Sequence, residues 1–157
     1  MSNRPLAPSH DAPSPNTVVL LREVYLSLND IVITRLAEEG HDAVRPAHAA
    51  VFQFLDDAGT TVSVLAHRAR MTKQGMAQLV HHLEEHGYVS RIPDPGDRRA
   101  KLVIPTDRGQ EVFAIARGLV PEIEGLIAGV IGADRLEAVR DDLEAVRRDV
   151  SARRALD

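Results

Sequence analysis

The stretch Met71-Thr72-Lys73-Gln74-Gly75-Met76-Ala77-Gln78-Leu79-Val80-His81-His82-Leu83-Glu84-Glu85-His86-Gly87 decides the fold. Met76, Leu79, Val80 and Leu83 recur at i, i+3, i+4 and i+7, which predicts a helix with one apolar stripe. Lys73, Gln74, Ala77, Gln78 and His81 fall on the other faces and carry donors and acceptors suited to a base edge or a phosphate. Thr72 is an N-cap, since its hydroxyl can accept from the orphan amides of the first turn. Gly87 can close the helix in the left-handed conformation that other residues avoid. Such a helix suits a major-groove reader, but any amphipathic surface helix has the same form. The flanking sequence decides between them.

Upstream, Pro46 suits the first turn of a helix over about 46–57, with Ala50, Val51, Phe54 and Leu55 inward. Asp57-Ala58-Gly59 is a stop and turn, and Thr61-Val62 a short extended link. Ser63 is the expected cap of a helix running to about Arg70, with Leu65, Ala66 and Ala69 inward. A short helix, a tight turn and a polar second helix form a helix-turn-helix. Downstream, Tyr88–Ile92 alternates apolar and polar as an edge strand does, and Pro93-Asp94-Pro95-Gly96-Asp97 is a turn cluster. Lys101–Ile104 returns as a second strand, leaving Arg98 and Arg99 at or just past the hairpin tip. A helix-turn-helix followed at once by a basic-tipped hairpin is a winged helix.

The rest of the chain frames this lobe. Residues 1–16, with four prolines among Ser, Asn and Asp, read as a disordered tail. Residues 17–39, capped by Thr17 or Asn16, form a long helix that is apolar over more than half its circumference, so it must be covered on two sides. Thr106 caps a helix running to about Ile131, which Pro121 should kink or break. Over about 133–154, Leu136, Val139, Leu143, Val146 and Val150 make a heptad seam of the kind that faces another helix. The expected fold is mainly α: a winged helix-turn-helix with a small β-hairpin wing and a helical dimerisation region. Residues 17–157 form one domain, with 46–105 as the DNA-binding lobe and 17–45 and 106–157 as dimerisation helices.

Charge is unevenly spread. Arg68–Arg108 holds eight Lys/Arg against five Asp/Glu, a net of +3, while the remainder, with eleven against eighteen, nets −7. A basic middle in an acidic frame is an electrostatic footprint for a polyanion. Aromatic residues are only 3% of the chain, which disfavours binding single strands by stacking. The absence of cysteine excludes disulfides and thiolate metal sites. Without a basic-then-apolar leader or a long apolar run, a cytoplasmic location is expected.

The run Met71-Thr72-Lys73-Gln74, then Leu79-Val80, Leu83-Glu84, Gly87-Tyr88-Val89 and Arg91 resembles the recognition helix and following strand of the MarR family. Asp94-Pro95-Gly96-Asp97-Arg98-Arg99 resembles its wing, and Thr106-Asp107-Arg108-Gly109 the return into its next helix. The resemblance spans about 17–152 and is strongest over 62–109. It implies a homodimeric transcription regulator whose interface is built from the first and last two helices. By the same resemblance Arg99 would enter the minor groove, Asp97 would orient it, and Arg98 would sit near phosphate. Pro105 stands where many members carry Leu, so the second strand is expected to end early. Family members often bind small aromatic or phenolic ligands between the dimer helices and the DNA-binding lobe.

The expected partner is double-stranded DNA with a pseudo-palindromic site, and the expected activity is repression released by a small ligand. No enzymatic activity and no cofactor are expected. Lys73, Gln74 and Gln78 would meet base edges or phosphates, and Thr72 a phosphate. Arg68, Arg98, Arg99 and Lys101 would add counterion-releasing contacts. Two alternatives differ in class. His82-Leu83-Glu84-Glu85-His86 fits H-x-x-E-H, so His82, Glu85 and His86 could serve a metal-binding regulator or zinc hydrolase, although a third ligand is missing. His41 and His48 could form a regulatory metal or ligand site. The second alternative is a dimeric adaptor without DNA binding, which the basic wing argues against.

Overall fold

A computed structural model describes residues 16–97 and 99–154, so the tail over 1–15 and the expected position of Arg98 lie outside the described residues. Helix α1, Thr17–Glu38, opens on Asn16, whose side chain accepts from Val19 N at 3.1 Å. A 3-10 turn, Pro46–His48, leads into α2, Ala49–Phe54. Strand β1, Thr60–Thr61, precedes α3, Val62–Ala69, and α4, Lys73–Glu85. Strands β2, Val89–Pro93, and β3, Lys101–Pro105, form the wing hairpin. Helices α5, Asp107–Gly118, α6, Val120–Ile131, and α7, Ala133–Arg154, complete the chain.

Four sequence expectations need correcting, each for a physical reason. Helix α2 ends at Phe54 rather than near 57, because Leu55 turns to extended backbone (φ −81°, ψ 118°) and carries its side chain into the core. Thr60 and Thr61 are a third strand, paired with Val103 and Leu102 of β3. That pairing holds Thr61 extended, the geometry an N-cap needs, so Thr61 rather than Ser63 caps α3 by accepting from Val64 N at 3.3 Å. Strand β3 does not end early, since Pro105 pairs with Val89 as its last residue.

Pro121 breaks the predicted long helix rather than kinking it. The chain turns at the buried Leu119, and Pro121 occupies the first turn of α6, where no amide donor is missed.

The core lies inside the winged lobe. Val51 of α2, Leu65 of α3, Met76, Val80 and Leu83 of α4, Tyr88, and Val103 of β3 are fully buried. Leu36 is the buried residue of α1, and α6 buries none among the described residues. One tight joint links the lobe to α5. Gly87 (φ +74°) ends α4, and Tyr88 O accepts from Thr106 N at 3.0 Å. The Thr106 hydroxyl donates to Gly87 O at 2.6 Å and accepts from Gly109 N. Gly109 packs so closely on Tyr88 O that any Cβ there would overlap it. Arg108 lies over the Tyr88 ring at 4.7 Å and donates to Gly40 O, reaching the end of α1.

The histidines are structural joints. His82 Nε2 donates to Ala43 O at 3.0 Å, and its ring is stacked on that of His48 (4.7 Å) and tilted against that of His86 (4.2 Å). His48 Nδ1 accepts from Arg45 N at 2.9 Å. Buried His41 lies elsewhere, against Tyr88 and 3.7 Å from Glu111. His41 and His48 therefore do not share a site. Among the described residues, no three His, Asp or Glu side chains converge to hold a metal.

Burial, then the neighbouring His82, Arg45 and His86, push the His48 pKa down from 6.5 to about 4. The unfolded chain takes up that proton near pH 6.5, and the folded chain resists it until about pH 4. The associated stability is complete above pH 6.5 and is lost as the pH falls through that window. It amounts to at most about 3 kcal/mol. Urea denaturation between pH 7 and 4.5 is expected to show a falling midpoint, and His48→Gln is expected to flatten part of that slope.

Candidate nucleic-acid interface

Helix α4 owes its exposed face to its buried one. With Met76, Val80 and Leu83 at zero exposure, helical geometry turns Lys73, Gln74 and Gln78 to solvent. Thr72 accepts from Gly75 N at 3.1 Å and so fixes where the helix begins. The turn before it closes on Arg70 in the left-handed conformation (φ 55°, ψ 40°). Met71 N bonds Ala66 O at 2.9 Å there, which sets α4 at its angle to α3. Farther along α4, His81 lies 3.4 Å from Glu85, and Arg91 of β2 reaches Glu84 at 3.5 Å.

The wing loop is built by two aspartates. Asp94 Oδ1 accepts from Gly96 N at 2.8 Å, and Asp97 Oδ1 accepts from Arg99 N at 2.9 Å. Ala100 N returns to Asp97 O, and Asp94 N to Ala100 O. Asp97 thus acts on the Arg99 backbone, folding the loop that presents the side chain. Arg99 and Lys101 are exposed.

Arg68 is placed differently from the expected free phosphate contact. Its guanidinium donates to Phe54 O at 2.9 Å and to the Asp56 carboxylate at 2.7 Å. The Arg68 hydrogen bond is the largest cause holding the Asp56 pKa below the usual carboxylate range. Thr60 also donates to Asp56, so Arg68 ties the end of α2 to the start of β1. The structure brings Thr72, Lys73, Gln74 and Gln78 together on one helix end and Asp97, Arg99 and Lys101 together on the wing.

A second feature has lining residues that no sequence spacing identifies. Between α1, α2 and α5 lies an open cleft of about 600 Å³, walled by Ile33, Phe52 and Phe113 among others. Phe52 and Phe113 meet edge to face at 5.3 Å. Its polar groups are Asn29, Gln53 and Arg117, the last lying 6.0 Å over the Phe113 ring. These three come from three separate helices, and no local spacing links them.

A family model described as the MarR family matches residues 44–100, the winged lobe. The transcriptional regulator HosA of Escherichia coli O111:H- is 26% identical over 103 residues, 66% of this chain and 76% of HosA. The crystal structure of MarR superposes with a TM-score of 0.76 at 24% identity, covering 94% of this chain and 99% of that one. The winged lobe thus matches the MarR family, and the chain has the winged-helix fold of MarR-family transcriptional regulators. CouR from Rhodococcus jostii RHA1, solved bound to p-coumaroyl-CoA, is similar at 26% identity with a TM-score of 0.66, covering 87% of this chain and 94% of CouR.

The capping role of Thr72 can be tested without DNA. Thr72→Ala is expected to destabilise the fold by about 1 kcal/mol, as loss of a threonine N-cap does, while Thr72→Ser retains most of the stability. Chemical denaturation of the three proteins gives the comparison.

Proposed function

We propose that this chain is a homodimeric MarR-family repressor that binds a pseudo-palindromic double-stranded DNA site and is released by a small ligand. One observation carries the DNA-binding reading: the exposed polar end of α4 and the exposed basic wing belong to the same lobe. In this reading Lys73, Gln74 and Gln78 enter the major groove. A bidentate glutamine–adenine pair contributes about 1–3 kcal/mol of discrimination. The first turn of α4, capped by Thr72, faces a phosphate. Arg99 reaches the minor groove and Lys101 the backbone, with Asp97 shaping the loop. Arg98 is assigned to phosphate from the sequence. Arg68 acts by holding α3 rather than by touching DNA.

The division into 46–105 as DNA-binding lobe and 17–45 with 106–157 as dimerisation helices rests on where apolar surface is left over. Val18, Leu21, Val24 and Tyr25 of α1, Val130 of α6, and Val139, Leu143, Val146 and Val150 of α7 are all exposed in the single chain. An apolar surface of this extent calls for a partner, and a second copy with the same helices supplies a symmetric one. Two lobes in such a dimer would address half-sites about one helical turn apart, roughly 34–36 Å.

The cleft supports the effector reading, since it is mostly apolar with a few polar groups, as small-molecule sites are. CouR, bound to p-coumaroyl-CoA, gives a precedent in a similar protein. A small aromatic molecule suits the walls of Phe52 and Phe113. No helix among the described residues is long and apolar enough to cross a membrane, in keeping with a regulator acting in the cytoplasm.

Fluorescence anisotropy on the DNA upstream of the chain's own gene tests the reading. Arg99→Ala should weaken binding at least tenfold while sedimentation still shows a dimer. Lys73→Ala should weaken binding to all sequences alike and reduce the slope of log K against log salt by about 0.9. Equal affinity of wild type and Arg99→Ala across the salt series would falsify the DNA-binding assignment of the wing.

A further inference from the structure

The exposed face of α4 continues past Gln78. At about 100° per residue, Gln74, Gln78, His81 and Glu85 stand at i, i+4, i+7 and i+11 and fall within about 60° of one another around the helix. They lie opposite the buried Met76, Val80 and Leu83, and all four are exposed. His81 Nε2 lies 3.4 Å from Glu85 Oε1. At a rise of about 1.5 Å per residue the stripe is roughly 16 Å long, more than the width of the major groove, about 12 Å. With Gln74 and Gln78 against base edges, His81 comes one turn later, where the groove gives way to its phosphate rim.

Charge makes that position consequential. The stripe holds no lysine or arginine, its glutamines are neutral, and Glu85 is an anion. With His81 neutral, the stripe sets one net negative charge against a polyanion. With His81 protonated, the net charge is zero. Histidine is the side chain that changes charge between about pH 5 and 8, and a nearby phosphate favours its charged form.

The charged groups around α4 are engaged elsewhere. Arg68 of α3 is held by Asp56, and Arg91 of β2 by Glu84. His48 of the 3-10 turn is buried against His82, and His86 belongs to the same joint. Helix α2 carries no charged residue, and α3 otherwise offers only the exposed His67. Lys73 stands about 100° around the helix from Gln74. Among the described residues, the pair with Glu85 is the one ion pair that His81 makes.

Resting on the DNA-binding reading above, we infer that His81 is a DNA-contacting residue and that binding to DNA takes up a proton at its ring. The proton comes from solvent. Once protonated, both ring nitrogens are donors, so one N–H serves Glu85 and the other a phosphate oxygen. The carboxylate that would repel the DNA backbone is neutralised by the same step. Affinity therefore rises as the pH falls, in addition to the base reading by Gln74 and Gln78.

Isothermal titration calorimetry of the full chain with the DNA upstream of its own gene is the test, run at pH 7.5 in phosphate and in Tris. These buffers differ in ionisation enthalpy, so the difference in heat counts the protons taken up. Wild type is expected to take up a net fraction of a proton per chain. Its affinity should rise at least threefold from pH 8 to pH 7, both above the range in which the contribution of His48 to stability is lost. His81→Gln keeps a hydrogen-bonding side chain that cannot titrate, and it should abolish the uptake and flatten the pH dependence. His81→Lys, a fixed cation, should bind at pH 8 at least as tightly as wild type does at pH 7, with no uptake. His67→Gln should leave the uptake in place. The inference is overturned if wild type binds without proton uptake, if His81→Gln retains the wild-type uptake, or if the uptake is lost with His67 instead. A wild type that binds no DNA overturns the DNA-binding reading and this inference together, whereas binding without uptake overturns this inference alone.

Discussion

Everything exposed on this lobe follows from one burial constraint. Met76, Val80 and Leu83 occupy a single stripe of α4 and are excluded from solvent, packed in the cluster that includes Leu65, Val51 and Val103. Side chains of this size each contribute about 1.5–3 kcal/mol on full burial, so rotating α4 by even one residue would cost several kcal/mol. The helix cannot turn to hide Lys73 or Gln78. The polar face of α4 is therefore held outward by the core beneath it, and Thr72 adds an axial limit by fixing the first turn.

The outer helices follow the opposite rule. The lobe satisfies its own apolar surface, whereas α1, α6 and α7 leave theirs outward. Two ion pairs set the outer helices against one another: Arg35 of α1 with Glu122 of α6 at 3.5 Å, and Arg140 of α7 with Glu124 of α6. Such half-exposed pairs contribute little energy but give direction to helices that share few buried residues. The cleft lies where the two regimes meet, because a self-sufficient lobe and a partner-seeking frame do not pack without gaps.

What the sequence revealed was what short-range chemistry controls. The caps at Asn16, Thr72 and Thr106, the closure at Gly87, the wing turn and the break at Pro121 each depend on residues a few positions apart. Apart from the end of α2, the misreadings involve distant partners. Thr60-Thr61 is a strand because β3, some forty residues later, lies beside it, and only that pairing makes Thr61 the cap. Arg68 has the composition of a phosphate contact, but Asp56, twelve residues earlier, comes within its reach. His82 and His86 have zinc-site spacing, but His82 Nε2 donates a hydrogen bond to the carbonyl of Ala43. In the candidate interface, residue type and helical phase identified the exposed face of α4 and the wing basic residues. The residues lining the cleft stayed hidden because its walls come from three helices.

The joint at Gly87, Tyr88, Thr106 and Gly109 has a mechanical consequence. It clamps the end of α4 and the start of α5 through two adjacent carbonyls, Gly87 O and Tyr88 O, so the lobe and α5 meet at a fulcrum with almost no length of its own. Helix α5 has 12 residues and spans about 18 Å. By that lever, a tilt of about 5° at the joint displaces its far end by roughly 1.6 Å. A glycine is needed at position 109 because only a bare Cα allows so short a pivot. In this geometry a small local adjustment becomes a displacement comparable to the difference between a made and a missed hydrogen bond.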